Sequence, residues 1–329
     1  MSRVDRTGTA AHLLGWATTG GMGVVAATQL WRAPSVPVLV GAQGVAAWAL
    51  LAAYPVAGIA LWKRRTALAL VATGLAAVHL ALVAGAVSLQ GPRQVPDGDL
   101  PLRLVSANVL YSNPDLRRLG NDIAAQDADV VVLQEVTSQG LAALRSSTLW
   151  SAYPYRVTDP RPLFHGSATF SRFPIVETRP VDVGGPPMLM TDLRTPAGDV
   201  RVVNVHTVAP LTRADARLWA TQFPGLRRVL SDSPLPIILA GDFNATLDHA
   251  PLAELVDGDV RDAFVVAGRG LGATWPQWDG PVPPMMRLDH VLVAGGISVA
   301  AITDQPSVGS DHRRVVVDLG VPSRAAPVG

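Results

Sequence analysis

Cysteine is absent from all 329 residues, so disulfides and thiolate metal sites are excluded. Charge is scarce as well, at 16% of the chain, and it is almost missing from one part. Before residue 90 there is a single acid, Asp5, and six basic residues: Arg3, Arg6, Arg32, Lys63, Arg64 and Arg65. Lysine does not occur beyond Lys63, and the rest of the chain carries 21 basic against 25 acidic residues, a net −4 beneath the overall +1. That balance argues against a broad electrostatic grip on nucleic acid and leaves room only for a local basic groove.

Hydrophobic residues make up 49% of the chain, and the surplus is concentrated in the first ninety residues. Ala11 to Leu30, Val36 to Trp62 and Thr66 to Leu89 hold no Asp, Glu, Lys or Arg apart from their flanks, and each is roughly 20 residues or longer, the span of a bilayer core. The sequence therefore predicts three transmembrane helices, with Trp31 and Trp62 at their ends like an interfacial belt. Lys63-Arg64-Arg65 and the basic amino terminus belong in the cytoplasm by the positive-inside rule, so everything after residue 90 is expected outside it. His79 in the third stretch reads as a neutral histidine packed between helices.

Gln90 to Leu100, rich in Gly, Pro and Asp, reads as a linker. Beyond it, strands are expected at Leu102–Asn108, Val130–Gln134, Ser167–Ser171, Met188–Arg194, Val200–His206, Ile237–Ala240, Val291–Val293 and Val315–Leu319. Helices are expected at Asp115–Gln126, Thr137–Ser147 and Arg213–Leu230. This order suits one α/β domain.

The chemistry-bearing residues sit where apolar strands end. Pro236-Ile-Ile-Leu-Ala-Gly-Asp-Phe-Asn244 delivers Asp242 and Asn244 to a strand edge on the same side of the backbone, where open α/β sheets bind ligands. Leu104-Val-Ser-Ala-Asn108 ends in Asn, Val130-Val-Val-Leu-Gln-Glu135 in Glu, and Val202-Val-Asn-Val-His206 in His. Asp289 begins a strand, and Gly309-Ser-Asp-His312 leads into another. A carboxylate at the end of a buried strand is costly unless it is paired or binds a metal.

Asn, Glu, His, Asp-x-Asn, Asp and Ser-Asp-His, in this order and each at a strand edge, resemble the endonuclease/exonuclease/phosphatase superfamily, in the manner of its membrane-anchored bacterial members. Gly166 to Ile175 looks like that family's central strand, and Ala273-Thr-Trp-Pro276 like one of its loops. The resemblance implies a four-layer α/β sandwich of the deoxyribonuclease-I-like type. It implies that Glu135 binds Mg2+ or Mn2+, with Asn108 beside it and Asp311 as a further ligand, and that His312, polarised by Asp289, deprotonates the attacking water. Asp242 and Asn244 would orient that water and the scissile phosphate, and His206 would contact phosphate or protonate the leaving oxygen. Where the nuclease branch carries an acid to pair with that histidine, this chain has His165, which favours the phosphate contact for His206.

The expected layout is a transmembrane anchor at 1–90, a linker at 91–100, a catalytic domain at 101–320 and a tail at 321–329. The expected activity is extracytoplasmic, metal-dependent phosphodiester hydrolysis on nucleic acid or lipid head groups, with the bilayer as partner and no obligate protein partner. A lipid head-group phosphodiesterase, an inositol-type phosphatase on the same fold and a membrane-tethered binding module without turnover are the alternatives. Trp275, Trp278, Met285 and Met286 form an apolar loop fit to stack on a base, wedge into a duplex, enter the lipid interface or cover the core.

Overall fold

The computed structural model describes residues 3–32, 35–84, 93–278, 280 and 282–323. The central runs of Val, Ile and Leu read from the sequence are strands, extended by a residue or two and joined by edge strands that lack such runs. Among the described residues, twelve strands form two six-stranded sheets. The first sheet holds, in spatial order, β11 (Ser298–Gln305), β12 (Arg314–Val321), β1 (Leu100–Asn108), β2 (Val130–Gln134), β4 (Ser167–Ser171) and β3 (Tyr155–Asp159). The second holds β5 (Ile175–Val181), β6 (Met188–Thr195), β7 (Gly198–His206), β8 (Ile237–Asp242), β10 (Asp289–Ala294) and β9 (Arg261–Asp262).

The period-2 alternation of a strand divides its apolar residues between two cores. Leu102, Leu104, Val130 and Val132 of the first sheet meet Val200, Val202, Ile238, Ala240, Val291 and Val293 of the second in the space between the sheets. The opposite faces are covered by helices. Val105, Ala107, Val131 and Leu133 pack on Leu119, Ile123, Leu141 and Leu144 of the helices Leu116–Ala124 and Ser138–Arg145. Val203, Val205 and Leu239 pack on Trp219, Phe223 and Leu226 of the helix Arg213–Ser231. That helix starts in a capping box, Thr212 accepting from the Asp215 N–H while the Asp215 carboxylate accepts from Thr212. Helix, sheet, sheet, helix is the expected four-layer sandwich.

The amino-terminal part departs from the three expected crossings. Among the described residues, Thr66–Ala84 is the one continuous helix long and apolar enough to cross a membrane. Val36 to Trp62 is broken: Pro37–Gly44 and Ala46–Trp62 are bent 60° apart and make a second span only if taken as one. The break falls where the chain meets the sandwich, for a Cβ on Gly44 would lie 2.8 Å from the Met286 sulfur. Val40 lies in the same core cluster as Trp219 and Phe243. The first stretch is helical, Arg3–Thr28, and is less apolar than Thr66–Ala84, with Thr, Gly and His spread along it. Residues 85–92, the end of the third stretch and the start of the linker, lie outside the described residues.

Three further contacts tie these helices to the sandwich. The His249 Nε2 lies 2.9 Å from the Val40 carbonyl, the Trp48 indole N–H donates to the Met285 carbonyl at 2.5 Å, and Arg32 pairs with Glu254 at 2.6 Å. His79 is buried, with Nδ1 2.9 Å from the Tyr54 hydroxyl and Nε2 2.9 Å from the Ala47 carbonyl, a packed histidine as the sequence predicts.

Candidate active site

The face that buries Val and Leu between the sheets turns polar at one end. Asn108 follows Leu102 and Leu104 in β1's alternation, Gln134 follows Val130 and Val132, and Asn204 and His206 follow Val200 and Val202. Asp242 follows Ile238 and Ala240, and Asp289 precedes Val291 and Val293. Register completes the convergence: Asp242 is paired with Asp289 on one side and with His206 on the other, and Asn108 with Gln134. Polar side chains from five strands therefore meet at one edge of both sheets.

Local backbone geometry supports the arrangement. Gly241 has φ +151°, and a Cβ there would stand 1.9 Å from the Val205 carbonyl oxygen, so only glycine lets β8 approach β7 just before Asp242. Glu135 (φ +63°) and Asn244 (φ +46°) adopt left-handed conformations directly after their strands, turning the chain out of the sheet at the site. Asn244 is held there by its N–H donating to Asp242 Oδ1 (2.8 Å) and its Nδ2 donating to the Thr207 carbonyl (2.9 Å).

The Asn108 Nδ2 donates both to Glu135 Oε1 (2.9 Å) and to Asp242 Oδ2 (3.1 Å), and its Oδ1 accepts from the Leu110 N–H (3.1 Å). One amide thus gathers two carboxylates. His206 Nε2 stands 3.9 Å from Glu135 and 3.8 Å from Asp242. His312 is buried with Nδ1 2.8 Å from Asp289 Oδ2 and Nε2 3.6 Å from Asp242 Oδ2. Ser310 fixes the approach of that segment, its hydroxyl donating to the Asn108 carbonyl (2.8 Å) and accepting from the His312 N–H (3.1 Å).

Burial alone disfavours the imidazolium of His312, but the carboxylates of Asp289 and Asp242 outweigh it and push its pKa up to about 10. Desolvation raises the Asp242 carboxyl above its ordinary range, against the pull of His312. His165, beside His206 in a small pocket, is held below the usual histidine value by burial first and then by His206 and Arg161.

The predicted residues Asn108, Glu135, His206, Asp242, Asn244, Asp289 and His312 are thus brought together. Asp311 is placed differently: its Oδ2 accepts from the Trp275 indole (3.2 Å), and it lines an open groove with Arg118, Trp278 and Arg313. His290 is wholly buried and spends Nδ1 on Asp262 (2.7 Å) and Nε2 on the carbonyls of Ala245 and Arg287, a structural role. The apolar loop divides, with Trp275 and Trp278 edge to face at 6.2 Å and Trp278 on the groove, while Met285 and Met286 turn to the amino-terminal helices.

Two supports were not read from the sequence. Asn204 donates to the Leu133 and Ala168 carbonyls (3.0 and 3.1 Å) and accepts from Gln134 Nε2 (2.7 Å), bolting the sheets together behind the site. Thr274 is fully buried, its Oγ1 accepting from the N–H groups of Leu288 and Asp289 (3.1 and 3.2 Å). The place of Asn204 on the Val202–His206 face was the available signal.

The profile of the Endonuclease/Exonuclease/phosphatase family matches residues 105–312, which takes in the site from Asn108 to His312. The chain belongs to that family. An endonuclease/exonuclease/phosphatase from Bacteroides vulgatus is similar in structure, with a TM-score of 0.57 at 17% identity over 68% of this chain and 99% of its own. One from Beutenbergia cavernae gives 0.52 at 22% identity, over 70% and 73%. A D. rerio TDP2 complexed with a single strand DNA product gives 0.55 at 16%, over 67% and 99%. At these identities the likeness is one of fold. No curated protein matches the chain.

Enzymes of the endonuclease/exonuclease/phosphatase family hydrolyse phosphate esters with divalent metals, and the donors here suit such an ion. Asp242, Asp289 and His312 offer ligand atoms within 4.8 Å of one another, and Asp289 Oδ1 is buried without a hydrogen-bond partner. Glu135 and Asp242 share the Asn108 amide, an oxygen-rich pairing that hard cations prefer.

Proposed function

We propose that the chain is a metal-dependent phosphodiester hydrolase of the nuclease type, held at a membrane by its apolar amino-terminal helices and acting outside the cytoplasm. The observation that carries this reading is the convergence of Asn108, Glu135, His206, Asp242, Asp289 and His312 at one end of the inter-sheet face.

In this reading the neutral form of His312 is the base, a form that gains population as pH rises toward its pKa of about 10. Asp289 holds the proton on Nδ1, which leaves Nε2 directed toward Asp242 and the water between them, and the carboxylate stabilises the imidazolium that forms. Asp242 and Asn244 position the water against the phosphorus, and His206 contacts a phosphate oxygen. Glu135 and Asp242, with Asn108 beside them, would hold Mg2+ or Mn2+, which would neutralise charge on the phosphoryl oxygens. Asp311 accepts from Trp275 and adds its charge to those that favour the His312 imidazolium. The groove of about 810 Å3 beside the site, with Arg118, Arg313 and the exposed face of Trp278, suits an extended strand better than a compact monoester. The D. rerio TDP2 with its single-stranded product points the same way.

The test is a substrate panel on the full chain in detergent: single-stranded and plasmid DNA, RNA, sphingomyelin, an inositol phosphate and a chromogenic bis-aryl phosphate, each with Mg2+, Mn2+ or EDTA. Cleavage of single strands that needs metal and is lost in Asp242→Ala is expected. Preference for sphingomyelin would move the reading to a lipid enzyme, preference for the inositol phosphate to a phosphatase, and no turnover at all would overturn it. A carboxy-terminal reporter active only outside the cytoplasm tests the orientation, and silence there would overturn it.

A further inference from the structure

Between the amino-terminal helices and the sandwich lies a cavity of about 480 Å3, within the size range of lipid and small-molecule sites and separate from the catalytic cluster. Trp48, Leu51 and Leu82 wall it on one side, and Leu247, Val265 and Leu271 on the other. Two charged groups interrupt these walls. Arg287 is 6% exposed; its Nη1 donates to the Gly270 carbonyl (2.7 Å), its Nη2 lies 3.7 Å from Asp262, and its guanidinium stands over Phe264. Its Nε is buried with no hydrogen-bond partner. Asp248 has one side-chain hydrogen bond, a long one of 3.4 Å from the Thr246 hydroxyl, and burial pushes its carboxyl up to about 6.

We propose that this cavity binds an uncharged long-chain lipid bearing a free hydroxyl, of the acylglycerol class, with its hydroxyl donating to Asp248 and its chain among Trp48, Leu82 and Leu271. Asp262 offsets the charge of Arg287, so Asp248 is the charge an entering head group meets; a carboxylate would be repelled by it, whereas a hydroxyl donates to it. The mouth is apolar: Leu51 and Leu271, both on its lining, are 44% and 60% exposed. A chain longer than the cavity finds its continuation there, which favours a lipid over a compact soluble molecule. This inference stands apart from the hydrolytic reading, since none of the residues lining the cavity belongs to the catalytic cluster.

The experiment is native mass spectrometry of the delipidated full chain in detergent, titrated with 1-monooleoylglycerol and, separately, with oleate. One monooleoylglycerol per chain is expected, with oleate binding about tenfold more weakly or less. Ala47→Phe and Ala253→Phe fill the cavity from opposite walls, and each should weaken monooleoylglycerol binding about tenfold while leaving bis-aryl phosphate hydrolysis unchanged. Asp248→Leu should remove the preference over oleate. Failure of the native chain to form a one-to-one complex would overturn the proposal, as would undiminished binding by both Phe variants. Oleate binding as tight as monooleoylglycerol would overturn the head-group assignment.

Discussion

Replacing Asp289 by Asn should change the proton affinity of His312 more than it changes the fold. Asn is nearly isosteric, and its Oδ1 can still accept from Nδ1, where Asp289 Oδ2 now lies at 2.8 Å, so the ring keeps its orientation. What disappears is a full negative charge. With charge centres about 4 Å apart and an effective dielectric of about 20, the lost attraction is about 4 kcal/mol, or roughly a thousandfold in proton affinity. In the native chain with EDTA, His312 should stay protonated from pH 5 to pH 8.5, given a pKa of about 10. In Asp289→Asn its midpoint should fall to about 7. Ring carbon–proton NMR of the seven labelled histidines, with His312 assigned by substitution, reads both values. A native His312 that titrates near 6.5, or an Asp289→Asn chain in which it still fails to titrate below pH 9, would refute the argument. The sign for stability follows: because the folded value is raised, the contribution of His312 is fully present below the ordinary 6.5 and is lost as pH rises toward 10.

Asn204→Leu removes three buried hydrogen bonds across the sheets and strands Gln134, and should cost about 3 kcal/mol or more in urea unfolding at unchanged m-value; a loss below about 1 kcal/mol would contradict the role. Asp248→Asn should stabilise the chain at pH 7.5 by up to about 2 kcal/mol and by almost nothing at pH 4. The wild-type carboxyl binds its proton more tightly folded than unfolded, so the fold is penalised as pH rises from 3.8 through about 6; equal effects at both pH values would exclude this linkage. Gly241→Ala, which sets a Cβ 1.9 Å from the Val205 carbonyl oxygen, should destabilise by about 3 kcal/mol or more, and a melting temperature like that of the native chain would refute the close approach.

The central strands were legible because burial on both faces leaves continuous apolar runs, as in Val130–Gln134 and Ile237–Asp242. The edge strands were not. β5 carries Glu177, Arg179 and Pro180 and is mostly exposed, and β3 and the two-residue β9 have no apolar run to read. Most of the site was legible because its polar residues end those same central strands. The place of Asp311 was less legible: its neighbours in sequence suggest the catalytic cluster, while its Oδ2 accepts from Trp275, a contact 36 residues distant that spacing does not reveal. Hydropathy measured the length of the amino-terminal stretches but could not show that the second of them bends by 60° beside the place where Gly44 packs on Met286.

The spatial order of the first sheet sets an order of events during synthesis. β1, the first strand of the sandwich, pairs on one side with β2 but on the other with β12, the last, from Leu100 opposite Val321 to Ser106 opposite Val315. Until β12 emerges, β1 keeps an open apolar edge, the kind of surface on which incomplete chains associate, and pairing so distant in sequence forms slowly. The same segment brings His312. A partly made chain therefore has neither a closed first sheet nor the histidine proposed as its base, and the polar cluster is completed together with the strand that seals the fold.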